Sequence, residues 1–591
     1  MPDDDDPTER LICCISGVVA SLLFALTPAM WSQAVIVEIY TLNAFFLVFL
    51  FLLTYRWMYQ PTDRLLYVIA FVFGVSLAHY YTLLLAAVPL VVVMLLKDIR
   101  LFRDGVIIGI PYAIGFGLWW FGQLPSIPSP NSAICYIYLS LNFLILLMAY
   151  FLLPRGKVLA TAILLAQLGT AFYLYMPLSS DLRNPPINWG YPRTWQGFLH
   201  AVSRGQYEKF TPEDIFSLDF LDKVGFYFSD LRLQFALLPA LIGFLTFTNW
   251  QISIGQRRLR ALPLALGFAA TAVVFELLEE FVIGGNANLF KLFTVAVMLL
   301  VGIGGMVLLI GQAMQLAVRM TGKLESTALH ERITIGLMFV GLTGGYGLFV
   351  KQLAGKLAIV IQPLRQGGVA FEPGQVSTIL MQAAGIVILA AAPIIAAILI
   401  GWLMRRETSL EMAIDDNSQK WLIATLSGFA MLSVTIIVLA SPKGDIQDNF
   451  IQKVKFINSH NLYSLWIGYG LILALFFLNR LFRGHAFPKV VSLCAVAALP
   501  LMPIGLNLYD RDLQKCYGGA EQNGHDFGWQ FGNYQLRGAG AIWEELSPDE
   551  EPLPNPQFPP EMTTNAIFFG GTDPGRFVPT YMIYSAQVRE D

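Results

Sequence analysis

The chain has 591 residues, 56% of them hydrophobic and only 13% charged, with a formal charge of −3. A soluble domain carries roughly 25% charged residues, and none has an interior that hides so much apolar surface, so lipid must cover it. This excludes soluble, disordered and nucleic-acid-binding classes, and the near-neutral balance marks no anionic partner.

The acidic start, Met1-Pro-Asp-Asp-Asp-Asp-Pro7, lacks the basic region of a signal peptide and reads as a cytoplasmic leader over 1–10. Apolar stretches able to cross about 30 Å of hydrocarbon lie near 11–30, 34–55, 105–121, 134–153, 158–177, 234–250 and 262–281. Others lie near 288–311, 333–351, 376–403, 421–441, 460–479 and 487–505. The run 65–96 would make a rod of about 48 Å as one helix. With His79-Tyr80-Tyr81 at its middle it predicts two shorter helices meeting there. The expectation is an all-α polytopic bundle of about fifteen crossings over 11–505.

Lysine and arginine orient it. Arg56 and Arg64, Lys97, Arg100 and Arg103, Arg155 and Lys157, and Arg257, Arg258 and Arg260 fall in alternate connections. The series continues through Arg319, Arg405 and Arg480, while the opposite connection 122–133 has no charge. By the positive-inside rule the amino terminus is cytoplasmic. The loop 178–233, the loops 352–375 and 442–459, and the tail 506–591 are then extracytoplasmic. The tail is polar and shows a strand–turn–helix pattern at Asn565-Ala-Ile-Phe-Phe, Gly570-Gly-Thr-Asp-Pro-Gly and a run to about Val588. This predicts a partial α/β region, cut off before a second parallel strand. Its glycines do not spell a P-loop, and a turn that merely needs glycine explains them better.

Chemistry should sit in the polar residues that lipid does not tolerate. Glu38, about one turn inside helix 34–55, reads as a carboxylate facing an outward cavity, or as an interfacial acid paired for folding. His79, at the apex of 65–96, reads as a ligand-facing or a core histidine. The densest polar constellation follows helix 158–177, with Arg183-Asn-Pro-Pro-Ile-Asn-Trp189 and Arg204-Gly-Gln-Tyr207. Its arginines suit a phosphate, and Trp189 and Trp195 offer faces on which a sugar stacks or an interface anchors. A third patch runs from Asp448 to Tyr463, where Asn458 or Ser459 is placed to cap helix 460–479. Five scattered cysteines and six histidines without H-x-x-x-H spacing predict no metal site.

In order and spacing, Phe24-Ala-Leu-Thr-Pro-Ala-Met-Trp-Ser-Gln-Ala-Val-Ile-Val-Glu-Ile-Tyr, Phe73-Gly-Val-Ser-Leu-Ala-His-Tyr, Leu182-Arg-Asn-Pro-Pro-Ile-Asn-Trp-Gly, Arg204-Gly-Gln-Tyr and Asn461-Leu-Tyr-Ser-Leu-Trp resemble one family. It is the glycosyltransferase family 117 membrane proteins, the protein O-mannosyltransferase-like group of the GT-C superfamily. The resemblance implies transfer of a sugar, typically mannose, from a polyprenyl-phosphate donor to an acceptor hydroxyl on protein or glycan at the outer face. It implies inversion at the anomeric carbon, no cofactor, and the bilayer, lipid-linked donor and acceptor as partners. On matching positions it implies substrate contacts for Trp31, Glu38, Tyr40 and His79, and for Arg183, Asn188, Trp189, Arg204, Gln206 and Tyr207. The acid such enzymes keep in a first outer loop, in a Trp-Asp-x-Gly-Glu-like motif, has no match here. That leaves Glu38 as the candidate base and predicts a chain truncated at both ends: a fragment or an incomplete gene model, inactive alone, or one half of a split gene whose partner supplies the base. The competing class is a transporter or flippase of lipid-linked solutes, for which midplane polar residues and paired repeats are the signature. Here polar density lies in outer loops, and the one repeat, Asn288-Leu-Phe-Lys-Leu-Phe against the segment near Asn461, is faint.

Overall fold

A computed structural model describes residues 7–36, 38–185, 188–203, 205, 218–246, 252–254, 257–259, 416–440, 454–482, 485–509, 526–545, 555, 557–570 and 573–589. The first helices are α1 (Pro7–Ala25), α2 (Pro28–Ala34), α3 (Tyr40–Tyr59) and α4 (Asp63–His79). A 3₁₀ turn over Tyr81–Ala86 leads into α5 (Ala87–Lys97), then α6 (Ile99–Trp120), α7 (Ala133–Leu152), α8 (Gly156–Thr170) and α9 (Tyr175–Arg183). Next come α10 (Trp195–Val202), α11 (Leu218–Phe235) and α12 (Leu237–Leu245). A short antiparallel ribbon pairs β1 (Ile252–Ile254) with β2 (Arg257–Leu259). The remaining helices are α13 (Asp416–Ala440), α14 (Ile457–Leu481), α15 (Ala486–Ala498) and α16 (Leu501–Tyr509). The tail holds α17 (Phe527–Leu536), α18 (Gly538–Glu545) and α19 (Asp573–Tyr584).

Among the described residues, eight helical stretches are long and apolar enough to cross a bilayer, and Tyr81–Lys97 is a shorter apolar one. The chain is an all-α polytopic membrane protein. α7 illustrates why water is excluded as its solvent: Phe143, Leu147 and Phe151 are 56%, 56% and 72% exposed, a surface stable only against hydrocarbon. The expected crossings over 262–403 lie outside the described residues.

Several expected elements differ in detail. The run 65–96 does break after His79, where Tyr80 is extended between α4 and the 3₁₀ turn. The expected helix 34–55 starts only at Tyr40, and the expected span 11–30 ends at Ala25, with the short α2 set between them. Chain direction changes at 35–39, where the β-branched Val35-Ile36-Val37 disfavours helix and Pro28, behind the capping Thr27, fixes the start of α2. The span 234–250 is interrupted at Ala236, whose φ is 63°. The loop predicted from 178 to 233 is helical at its start, through Arg183, and again in α11. In the tail, 565–569 forms no strand: Asn565 has φ 58°, which breaks extended pairing, and only the helix of the expected strand–turn–helix is present. The partial α/β expectation is corrected to turns and helices among the described tail residues. Gly570 and Gly575 lie so close that a Cβ on either would meet the other's backbone, so these glycines close a turn.

The chain divides into two compact units. The first comprises Met1–Ile114, Leu144–Thr170 and Phe210–Glu521. Its core runs through Leu47, Leu50, Leu83, Phe235, Tyr463 and Ile467. There α4 and α8 cross with backbones touching: a Cβ on Gly74 would fall on the carbonyl of Ala166, and one on Gly169 on the backbone of 71–75. Small residues permit such approach where no hydrophobic effect drives helices together. A charged knot joins three connections of this unit. Arg155 reaches Asp63 at 3.0 Å and Asp98 at 3.5 Å. Its backbone N–H donates to the fully buried Asp104 at 2.8 Å, which also pairs with Arg103 at 2.7 Å. The basic connections that the charge pattern groups on one side are thus gathered at one end. The second unit comprises Gly115–Phe143, Ala171–Lys209 and Gln522–Asp591.

Gly74→Val is expected to force α4 and α8 apart, at a cost of about 1–3 kcal/mol. Thermal unfolding in detergent micelles should show a lower midpoint than for wild type, and an unchanged midpoint would remove the close crossing.

Candidate active site

The α2–α3 elbow is the first candidate region. Glu38 lies in the break just before α3 and is exposed, where the sequence expectation put it a turn inside a helix. One of its carboxylate oxygens accepts the N–H of Ile39 at 3.3 Å, which leaves the other oxygen outward. His79, at the last turn of α4, sits 3.1 Å through Nε2 from the carbonyl of the same Ile39. Because that neighbour is an acceptor, Nε2 donates its N–H to it. Tyr80 packs edge-on against Tyr40, with centroids 5.8 Å apart, and Trp31 stands half-buried on α2. The structure therefore brings together Glu38, Tyr40 and His79, around one residue, Ile39.

Behind the elbow runs a polar seam whose α14 residues belong to the third sequence patch and whose α11 partners the sequence did not single out. The Ala29 N–H at the start of α2 donates to Gln234 Oε1 at 3.0 Å. Gln234 Nε2 faces both oxygens of Asp230, at 3.3 and 3.4 Å, and Asp230 lies 3.5 Å from His460 Nε2. Tyr227 donates to Ser459 Oγ at 2.8 Å. On α3, Asn43 donates to Asn458 Oδ1 at 2.9 Å, and Asn461 donates to the carbonyl of Ala44 at 3.2 Å. All these side chains are buried, Asp230 at 2% exposure and His460 at none. Asn458 and Ser459 sit inside α14 facing other helices, and do not cap it as expected.

The second unit holds the loop 184–194 between α9 and α10. Asn184 ends α9 in the left-handed region, and Tyr191 and Gly190 follow with φ of 53° and 70°. Arg193 binds this turn together. Its guanidinium donates to the Ser180 carbonyl at 2.6 Å and to Asn184 Oδ1, and lies 4.6 Å over the Tyr191 ring. Ser180 Oγ donates to Asn188 Oδ1 at 2.7 Å, so Asn188 belongs to the scaffold of the loop. Trp189 packs on Phe577 with centroids 5.4 Å apart, and Trp195 donates to the Ile127 carbonyl at 2.8 Å. Both indoles are held in place, and Trp189 stays half-exposed. Arg183 is exposed at the last turn of α9. Arg204, Gln206 and Tyr207 lie outside the described residues. No group of three or more His, Cys, Asp or Glu suited to a metal ion occurs among the described residues.

Residues 2–102 match a family model, that of the protein O-mannosyl-transferase TMEM260 N-terminal domain. The similarity covers 101 of the 591 residues (102 − 2 + 1). It takes in Trp31, Glu38, Tyr40 and His79, and stops short of the 184–194 loop. No curated protein and no solved structure matches the chain.

Arg193→Ala should loosen the 184–194 turn, because two carbonyl-type oxygens and an aromatic face lose one shared cation. Limited proteolysis is expected to cut within 184–194 faster than in wild type, while Arg183→Ala leaves the cleavage rate unchanged. Equal rates for Arg193→Ala and wild type would contradict the scaffold role.

Proposed function

We propose that this protein is an inverting membrane glycosyltransferase of GT-C type, moving a sugar, mannose by preference, from a polyprenyl-phosphate donor to an acceptor hydroxyl on protein at the outer membrane face. One observation carries the reading: the stretch similar to an O-mannosyl-transferase family includes the elbow that exposes Glu38 beside a hydrogen-bonded His79. In the proposed step the acceptor oxygen attacks the anomeric carbon as the bond from that carbon to the phosphate oxygen breaks. The acceptor proton passes to Glu38, and the lipid phosphate leaves with the electron pair. His79, which donates to the Ile39 carbonyl, holds the Ile39–Tyr40 peptide next to Glu38. By side-chain type alone, the Arg183 guanidinium suits a phosphate and the Trp189 indole an apolar sugar face. The gathered basic connections support an inward-facing opposite end under the positive-inside rule.

In nanodiscs with a polyprenyl-phosphate mannose donor and a Ser/Thr-containing acceptor peptide, wild type should transfer radiolabelled sugar. Glu38→Gln should lower kcat by about 10²–10⁴-fold, the usual range for a lost general base. Full activity in Glu38→Gln would remove Glu38 from the chemistry, and no transfer by wild type would overturn the reading.

Topology is open to a separate test. With native cysteines replaced, Asp181→Cys is expected to label with an impermeant thiol reagent in intact cells, and Lys157→Cys only after permeabilisation. The reverse pattern would invert the proposed orientation.

A further inference from the structure

The buried Asp230–Gln234 pair has no place in the transfer step, yet it lies at the root of the elbow. Ala29 is the second residue of α2, so its N–H has no partner within that helix. Where water is scarce such a donor must find a protein acceptor. Gln234 Oε1 is that acceptor, at 3.0 Å. An amide can face either way, and here Asp230 decides: both its oxygens oppose Gln234 Nε2, so only the orientation that turns the NH₂ to Asp230 and the oxygen to Ala29 is satisfied. The reverse flip would set oxygen against carboxylate and NH₂ against N–H. Asp230 is in turn braced by His460 of α14, 3.5 Å away, whose ring lies stacked on Tyr227 at 6.0 Å between centroids. On the far side of the elbow, Asn458 and Asn461 of the same α14 hold Asn43 and Ala44 of α3. Both helices that flank Glu38 are thus tied to one segment, Asn458-Ser-His-Asn461.

We propose that Asp230 and Gln234 are positioning residues for Glu38: through the Ala29 amide they set the direction of α2 and with it the placement of the elbow carboxylate. The inference rests on the transferase reading for its effect on turnover, and on geometry alone for its effect on the elbow. The test uses the full chain in nanodiscs and two variants. Gln234→Met keeps the length but removes the acceptor, and Asp230→Asn keeps the volume but no longer dictates the flip. Hydrogen–deuterium exchange of peptides spanning 27–39 should accelerate about tenfold in both variants, as expected for one lost hydrogen bond. Exchange in α7 should stay unchanged. In the transfer assay kcat should fall by about 10²-fold, the effect of a misplaced reacting group, with KM within about twofold of wild type. Asp230→Glu, which restores an acidic partner for the amide, should recover part of both. Unchanged exchange over 27–39, or faster exchange with unaltered kcat, overturns the proposal. If wild type shows no transfer, the transferase reading fails, and the exchange result still decides whether the clamp exists.

Discussion

The satisfaction of one backbone amide, that of Ala29, is the constraint around which the first unit is arranged. A short helix inserted between α1 and α3 exposes donors that lipid cannot hydrogen-bond. The protein answers with a buried side chain from α11, and that side chain needs a carboxylate to fix its orientation. The carboxylate, itself only 2% exposed, needs a polar neighbour, because a buried polar group without one is strongly disfavoured. His460 fills that place, and aromatic rings of Tyr227, Phe235 and Phe456 enclose it. Each partner is thus required by the one before it. Their sum is a bend at 35–39 that presents Glu38 and Tyr40 beside His79 rather than hiding them in a continuous helix.

Two polar connections, one in each unit, use arginine in the same way. Arg155 closes a knot of acidic residues over the buried Asp104, and Arg193 closes a turn of carbonyl-type acceptors. In both, the planar fork of the guanidinium collects several acceptors at once, which a lysine cannot do in the same geometry. Arg183 sits ten residues before Arg193 with its side chain exposed on the end of α9. Sequence shows both as arginines in one polar loop, and only the fold separates the binder of the loop from the residue presented outside it.

Much of the fold was legible because lipid imposes length and composition on every crossing. α7, α13 and α14 fall where apolar runs placed them, and the break at Tyr80 was visible as polar and aromatic residues inside an overlong run. The elbow at 35–39 was not, because Ala-Val-Ile-Val is as apolar as a membrane helix and hydropathy carries no information on direction. α11 was read as loop because Asp219, Asp222 and Lys223 dilute its apolar face. Its burial depends on helices far along the chain: Tyr227 meets Ser459, 232 residues away. The sequence named Glu38, His79 and Trp189 by residue type and missed Asp230 and Gln234, whose significance exists only as contacts. Asn188 accepts a hydrogen bond from Ser180, a contact that residue type alone did not reveal.

The central claim is that chemistry resides at the elbow end of the bundle and not among the basic connections. A photoreactive polyprenyl phosphate, irradiated with the protein in nanodiscs and followed by peptide mass spectrometry, tests it directly. The account predicts adducts on 35–40 or 79–81 that an excess of unlabelled polyprenyl-phosphate mannose abolishes. Adducts confined to 97–104 and 154–157, or adducts that the excess does not reduce, would contradict it.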